Sequence, residues 1–179
     1  MHVWTHLKDE RKGVTGQGIY ADGLVEHDDH VGQLLKQLDD LGIAENTIVI
    51  WTTDNGAEVF SWPDGGMTPF LGEKNTNWEG GYRVPMMVRW PAKIKAGVIS
   101  NEIVSMEDWV ATVMAAVGEP DVKEKLLKGH KANGKTFKVH LDSYNLLPHL
   151  TGKEEKGPRE EFLYWNDGGQ LVGLRYQDW

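Results

Sequence analysis

The sequence predicts an α/β fold with an antiparallel portion towards its carboxyl end. A helical pattern over residues 17–41 precedes an apolar strand over 48–53, and a second strand over 84–90 follows a long loop rich in Gly, Pro and Trp. This order of helix and strand is typical of α/β proteins. Two short strands, 161–165 and 171–176, flank an Asn-Asp-Gly-Gly turn, which predicts a hairpin.

The spacing of apolar residues supports the helix over 17–41. One face would carry residues at spacings of four, seven, four and three: Tyr20, Leu24, Val31, Leu35 and Leu38. Gly42 then follows, as is typical of a helix carboxyl terminus. A second helix is predicted over 105–117, and a solvated helix and loop over 123–138.

The strand over 48–53 ends at polar residues. Its apolar run is continuous, which predicts burial on both faces, and it gives way to Asp54, Asn55 and Gly56. Ligands of open α/β sheets bind beyond the carboxyl ends of strands. Carboxylate and amide oxygens suit hard cations such as Ca²⁺ or Mg²⁺. The same three residues also make a favourable turn, and by themselves they leave both interpretations open.

Two basic residues are further candidates. Lys74 precedes a Gly-rich segment that ends at Arg83, and Lys and Arg both bind oxyanions. The imidazole of His6 can donate to an oxyanion or transfer a proton. Taken singly, each is equally compatible with an ordinary side chain: a lysine on a loop, or a surface or structural histidine.

Composition narrows the function classes. The chain has 179 residues, enough for one domain with a substantial core, and no Cys, which excludes disulfides, thiolate metal sites and a Cys nucleophile. Its net charge is −8 without a dense Lys/Arg cluster, which argues against nucleic-acid binding. No apolar run reaches the roughly 20 residues of a membrane span. No signal-peptide pattern follows Met1.

The motifs together resemble the type I sulfatases of the alkaline phosphatase superfamily. The resemblance covers nearly the whole chain, and it rests on the order and spacing of individually modest motifs. These lie at residues 46–50, 52–56, 74, 79–85 and 89–91, and those at 108–113, 140–145 and 174–179 look like bacterial arylsulfatases. The resemblance implies part of an alkaline-phosphatase-like sandwich, with a mixed, mainly parallel β-sheet flanked by helices. Residues 1–120 would belong to the catalytic domain and 121–179 to an incomplete carboxyl-terminal subregion.

The resemblance also implies an activity and a site. The family members are sulfuric ester hydrolases that cleave sulfate monoesters with a divalent cation, usually Ca²⁺. Asp54 and Asn55 would be two of the cation ligands. Lys74 would contact the sulfate and the leaving oxygen, and His6 would do likewise and protonate the leaving group. Leu7 and Lys8 follow this histidine where the family more often has Tyr-Pro.

The family nucleophile has no counterpart here. It is a formylglycine made from Cys or Ser in a Cys/Ser-x-Pro-x-Arg motif, and no Ser of this chain lies in that pattern. The paired aspartates that complete the family's metal site are also missing. We therefore expect a chain truncated at its start, catalytically inert in isolation, and prone to self-association through exposed sheet edges.

Other features of the function stay open at this point. The substrate would be a small-molecule sulfate ester, aryl or carbohydrate, since Phe60, Trp62 and Phe70 could wall a cleft for either. The family expectation for localisation is periplasmic or secreted. A related phosphate or phosphonate ester hydrolase is one alternative, although Asn55 stands where those enzymes usually carry a His ligand. A non-catalytic remnant or interaction module is the other.

Overall fold

The computed structural model describes residues 6–60 and 63–179. Short 3₁₀ helices occur at Asp9–Arg11, Ala44–Asn46 and Pro63–Gly65. The helices and strands of this part of the chain are α1 (Ile19–Asp40), β1 (Val49–Thr52), α2 (Glu79–Tyr82), β2 (Met86–Arg89), α3 (Asp108–Ala116), α4 (Val122–Lys128), β3 (His130–Ala132), β4 (Lys135–Phe137), α5 (Leu147–Leu150), β5 (Glu161–Trp165) and β6 (Leu171–Tyr176).

The chain divides into two compact units. The first comprises Met1–Ala92 with Asn166–Gln170, and the second comprises Lys93–Trp165 with Leu171–Trp179. The division of the family domain at residue 120 stays a prediction. No helix of the described residues is both long and apolar enough to cross a membrane.

Helix α1 confirms the apolar periodicity and the predicted end. Beyond it Gly42 has a φ of 66°, which glycine adopts without steric cost. Its N–H donates to the Asp39 carbonyl oxygen at 3.0 Å, and the N–H of Ile43 donates to the Leu38 carbonyl oxygen at 3.1 Å. These two bonds are those of a Schellman motif, and they satisfy carbonyl groups that the helix end leaves without partners.

Strands β1 and β2 confirm the two predicted strands of the first unit. They pair antiparallel, with Val49 opposite Arg89 and Thr52 opposite Met86. The expectation that β1 is buried on both faces is wrong for the described chain, since Ile50 is 37% exposed. Side chains alternate between the two faces of a strand, so Val49 and Trp51 lie on the face towards α1 whereas Ile50 lies on the opposite, more exposed face.

An apolar groove separates α1 from one face of this strand pair. Its volume is about 470 Å³. The indole Nε1 of Trp51 donates to Nε2 of His27 at 2.9 Å across it. The apolar side chains that line the groove include Leu24, Val31, Leu35, Val49 and Trp51.

The second unit is organised around a buried ion pair. Asp108 is 0% and Arg159 6% exposed. Their side chains form two hydrogen bonds, at 2.8 Å from Nε and 2.7 Å from Nη2. The carboxylate also accepts the backbone N–H groups of Ser105, at 2.9 Å, and Tyr144, at 2.8 Å. Asp108 therefore ties the start of α3 to two segments far along the chain.

Two antiparallel strand pairs complete the second unit. Strands β5 and β6 pair antiparallel and confirm the predicted hairpin and its bounds. Helix α4 confirms the helix expected within 123–138, but the following β3–β4 hairpin was not predicted. Its turn is Asn133-Gly134, with φ values of 48° and 74°, as a tight hairpin turn requires. All three strand pairings of the described residues are antiparallel, so they include none of the parallel pairings that the resemblance implies.

Candidate active site at the end of strand β1

The cation-ligand candidates follow β1 directly. Asp54 is exposed and Asn55 half-buried. The Thr53 hydroxyl donates to Oδ1 of Asp54 at 3.3 Å. Nδ2 of Asn55 donates to the Gly56 carbonyl oxygen at 2.9 Å, which fixes the plane of the amide and turns Oδ1 to the opposite side. Both residues thus present oxygen atoms at the strand end, as a hard cation requires.

Glycine main chains fix the segment that follows. The N–H of Gly56 donates to the Gly81 carbonyl oxygen at 2.9 Å. A Cβ on Gly56 would lie 1.8 Å from the Gly80 carbonyl oxygen, and one on Gly80 would lie 2.2 Å from that of Gly72. Real Cβ atoms do not approach so closely, so these positions require glycine. The Gly-rich sequence therefore packs three stretches of backbone against one another.

Lys74 is held beside the strand end by main chain and side chain. Its N–H donates to the Ala57 carbonyl oxygen at 2.9 Å. Its Nζ donates to Oε2 of Glu58 at 3.2 Å, and the Lys74 and Glu58 side chains are 33% and 20% exposed. The structure therefore brings Lys74 next to the residues that follow Asn55.

A second carboxylate shapes the same loop. Oε2 of Glu73 accepts the N–H of Val59 at 2.5 Å and that of Phe60 at 3.2 Å. The Thr76 hydroxyl donates to the Glu73 carbonyl oxygen at 2.6 Å and closes the turn around Lys74. Neither Glu58 nor Glu73 is among the site residues that the sequence predicts. Their positions in the sequence could have indicated them, because Glu58 lies three residues beyond Asn55 and Glu73 directly precedes Lys74.

Arg83 has structural contacts. It forms an ion pair with Glu79 at 3.4 Å, and its guanidinium lies 4.2 Å from the centre of the Phe70 ring. These contacts brace the loop. Of the aromatic residues considered for a cleft wall, Phe60 is 91% exposed. Trp62 lies outside the described residues.

His6 stands apart from the other candidates in its contacts. It is exposed and precedes the 3₁₀ helix Asp9–Arg11. Within the part of the chain that the structure describes, no hydrogen bond or ion pair joins it to Asp54, Asn55 or Lys74. Its role stays a prediction.

The cation ligands available at this strand end are few. Among residues 6–60 and 63–179, no group of three or more His, Asp or Glu side chains is arranged to hold a metal ion. Asp54 and Asn55 fit a hard cation by the chemistry of their oxygens. Since Ca²⁺ takes six to eight oxygen ligands, the others have to come from further groups or from water.

Comparison with known proteins identifies the family. The model of the Sulfatase family matches residues 17–119. This chain belongs to the sulfatase family. Human N-acetylgalactosamine-6-sulfatase is 38% identical over 119 residues, which are 65% of this chain and 23% of that protein. Human steryl-sulfatase is 32% identical over an alignment of 184 positions, which covers 98% of this chain and 29% of that protein.

A solved sulfatase structure agrees with the sequence relatives. The crystal structure of the PsFucS1 sulfatase from Pseudoalteromonas sp. superposes with a TM-score of 0.84 at 28% identity, over 99% of this chain and 33% of that one. The likeness confirms that the sulfatase chain described here carries part of the predicted α/β, alkaline-phosphatase-like fold. The chain spans between 23% and 33% of the length of these three proteins.

Proposed function

We propose that this chain supplies part of the site of a sulfuric ester hydrolase that cleaves sulfate monoesters. Asp54 and Asn55 bind a divalent cation, Ca²⁺ or alternatively Mg²⁺, while Lys74 and His6 contact the sulfate group. The supporting observation is that Lys74 is tied at 2.9 Å to Ala57, two residues beyond Asn55, in a chain of the sulfatase family. The main chain of Lys74 is thereby held next to the segment that carries the two candidate cation ligands.

The chemistry of sulfate ester cleavage suits these residue types. Negative charge gathers on the leaving oxygen as the S–O bond breaks. The Lys74 ammonium donates N–H groups to the sulfate and the leaving oxygen, and His6 delivers a proton to that oxygen. When bound, the cation contributes positive charge that stabilises the sulfate oxygens, with Oδ atoms of Asp54 and Asn55 as its ligands.

The formylglycine expected in the family has no precursor motif in this sequence, so no step is assigned to it. The isolated 179-residue chain is therefore expected to bind without turnover. A non-catalytic binding or interaction module is the second candidate function. The Asn55 amide oxygen, in place of a His ligand, argues against the third, a phosphate or phosphonate ester hydrolase.

The proposed substrate is a small-molecule sulfate ester, aryl or carbohydrate, and the proposed location is periplasmic or secreted. We also propose self-association through the edge of β1 that is not paired with β2, since among residues 6–60 and 63–179 β2 is its one partner strand. An unpaired strand edge is a template for further strand pairing.

The cation site is tested by calorimetric titration of Ca²⁺ into the chain, its Asp54→Ala and Asn55→Ala variants and, as control, Asp178→Asn at an exposed position. We expect weak binding, with a Kd on the order of millimolar, that either site variant abolishes and the control retains. Equal binding by all four proteins would refute the assignment.

The anion site is tested by NMR titration with methyl sulfate, which we expect Lys74→Ala to weaken at least tenfold. A parallel assay with 4-nitrophenyl sulfate should detect no hydrolysis. Robust turnover by the purified chain would show that the expectation of inertness is wrong.

A further inference from the structure

We propose that Glu58 makes the site sensitive to anion charge: its carboxylate weakens the binding of a dianionic phosphate ester at Lys74 more than that of a monoanionic sulfate ester. This inference rests on the proposed function and assigns a specificity-determining role within the same site. It starts from the ion pair between the two side chains, whose Nζ and Oε2 atoms are 3.2 Å apart.

The position of this pair is fixed by the main chain around it. The N–H of Lys74 donates to the carbonyl oxygen of Ala57, the residue before Glu58, at 2.9 Å. Gly56, one residue earlier, is held against Gly81 at 2.9 Å. The carboxylate therefore stays close to the ammonium when an anion arrives, and side chains only 20% and 33% exposed leave its charge incompletely screened by water.

The ammonium retains donors for an anion. It has three N–H groups, of which Glu58 accepts one. An anion oxygen that accepts one of the other two would lie about 5 Å from the Glu58 carboxylate, given tetrahedral geometry at Nζ and ordinary hydrogen-bond lengths. At that distance the carboxylate repels the bound anion.

The repulsion depends on the charge of the ester. A sulfate monoester carries one negative charge, whereas a phosphate monoester carries two once the pH exceeds its second pKa of about 6. One unit charge about 5 Å away weakens binding by about fourfold at the dielectric constant of water and by about 300-fold at an effective value of about 20. A partly exposed pair lies between these limits. We expect about tenfold for the monoanion and, since the Coulomb energy doubles, about 100-fold for the dianion.

The decisive variant is Glu58→Gln, which keeps an oxygen acceptor for Lys74 and removes the charge. The matched control is Glu73→Gln, since Glu73 lies in the same loop but directs its carboxylate to the N–H groups of Val59 and Phe60. Its amide oxygen can still accept these bonds. Each variant removes one negative charge, so the two change the net charge of the chain equally.

The experiment measures the Kd of methyl sulfate and of methyl phosphate by NMR titration at pH 8, constant ionic strength and in the presence of EDTA. We expect Glu58→Gln to bind methyl sulfate about tenfold and methyl phosphate about 100-fold more tightly than the unmodified chain. The gain for the dianion should equal the square of the gain for the monoanion. Glu73→Gln should give gains at least threefold smaller.

The outcomes separate this inference from the proposed function. Equal gains for both ligands in Glu58→Gln, no gain, or equal effects of the two Gln variants would overturn the role of Glu58, while the sulfate site stands if Lys74→Ala still weakens methyl sulfate binding. Methyl sulfate binding that is absent, or insensitive to Lys74→Ala, would overturn the sulfate site and this inference with it.

Discussion

In residues 54–83 close contacts between glycine main chains bring separate segments together, whereas in residues 105–161 a buried ion pair between side chains does so. In the first region Gly56, Gly80 and Gly81 bring backbone segments into contact. In the second, Asp108 and Arg159 bury opposite charges against each other. Glycine backbone contacts therefore fix the first region, and a buried pair of charged side chains fixes the second.

The difference determines which charged side chains can bind a ligand. Where glycine backbones fix the geometry, ionic side chains such as Asp54 and Lys74 stay partly exposed and within reach of a ligand. Where a buried ion pair fixes the geometry, its hydrogen-bonding capacity is used within the protein. A carboxylate that accepts bonds from Arg159, Ser105 and Tyr144, as Asp108 does, has little left for any ligand.

The largest effect is expected from Asp108→Ala. This change removes the one fully buried carboxylate from the Arg159 guanidinium and leaves it the more exposed Glu107 and Glu161, which costs about 3–5 kcal/mol in the free energy of unfolding. Urea denaturation followed by circular dichroism measures it. The control is Glu107→Gln, because Glu107 is also paired with Arg159, at 3.2 Å, but is 48% exposed. It should cost less than about 1 kcal/mol. Similar losses in both variants would refute the distinction between the buried pair and the exposed one.

A smaller effect is expected from Gly56→Ala. The new Cβ would overlap the Gly80 carbonyl oxygen, and we expect a loss of about 1–3 kcal/mol, as for other overpacked sites. Gly32→Ala is the matched control, since it is inside α1 and a Cβ added there would meet nothing within 4 Å. There alanine should stabilise the chain by about 0.5–1 kcal/mol. If both variants destabilise equally, backbone contact is not what holds the site region.

The contact between Arg83 and Phe70 should contribute less to the free energy of unfolding than the glycine contacts do. Arg83→Lys keeps the charge opposite Glu79 but removes the flat guanidinium that lies over Phe70. The expected cost is about 0.5–1 kcal/mol, measured in the same denaturation experiment. Methyl sulfate affinity should change less than twofold, and a tenfold loss would assign Arg83 to the anion site instead.

The last effect is a change in pH dependence, and it concerns Asp22, a second buried carboxylate whose hydrogen-bond partners are neutral. Hydrogen bonds from the Thr15 hydroxyl and from the N–H groups of Thr15 and Gly13 lower the pKa of its carboxyl group below the ordinary value. Its contribution to stability is therefore fully present above the unfolded-state pKa of about 4 and is lost as the pH falls through the lower folded-state pKa.

Asp22→Asn should remove that part of the acid dependence of the unfolding free energy, and Asp178→Asn, at an exposed position, should not. An NMR titration that finds the Asp22 carboxyl at or above its ordinary pKa would contradict this prediction.

Local patterns predicted the elements whose causes are local. The period of apolar residues gave α1, Gly42 gave its end, and the Asn-Asp-Gly-Gly turn gave the β5–β6 hairpin. The β3–β4 hairpin carried the same kind of signal in Asn133-Gly134, but its exposed, Lys-rich strands lack the apolar alternation that would have supported it.

The sequence does not predict which residues far apart along the chain contact each other. Asp108 and Arg159 are 51 positions apart, and nothing in either neighbourhood specifies the other. Glu58 and Lys74 are 16 apart across a loop without periodicity. The sequence supplied Asp54, Asn55 and Lys74 as candidates, while their grouping depends on the close approach of Gly56 to Gly80, which only the folded backbone reveals.

The groove between α1 and the β1–β2 pair has a practical consequence. Its apolar lining, with a volume of about 470 Å³, is of a size that admits small aromatic molecules. An environment-sensitive dye such as ANS should therefore become fluorescent on this chain even when its side chains are rigidly packed. Dye fluorescence is commonly taken as the mark of a molten globule. For this chain, dye fluorescence must be interpreted together with the near-ultraviolet circular dichroism spectrum. A fixed arrangement of Trp51 and the other aromatic side chains would preserve that signal, whereas a molten globule loses it.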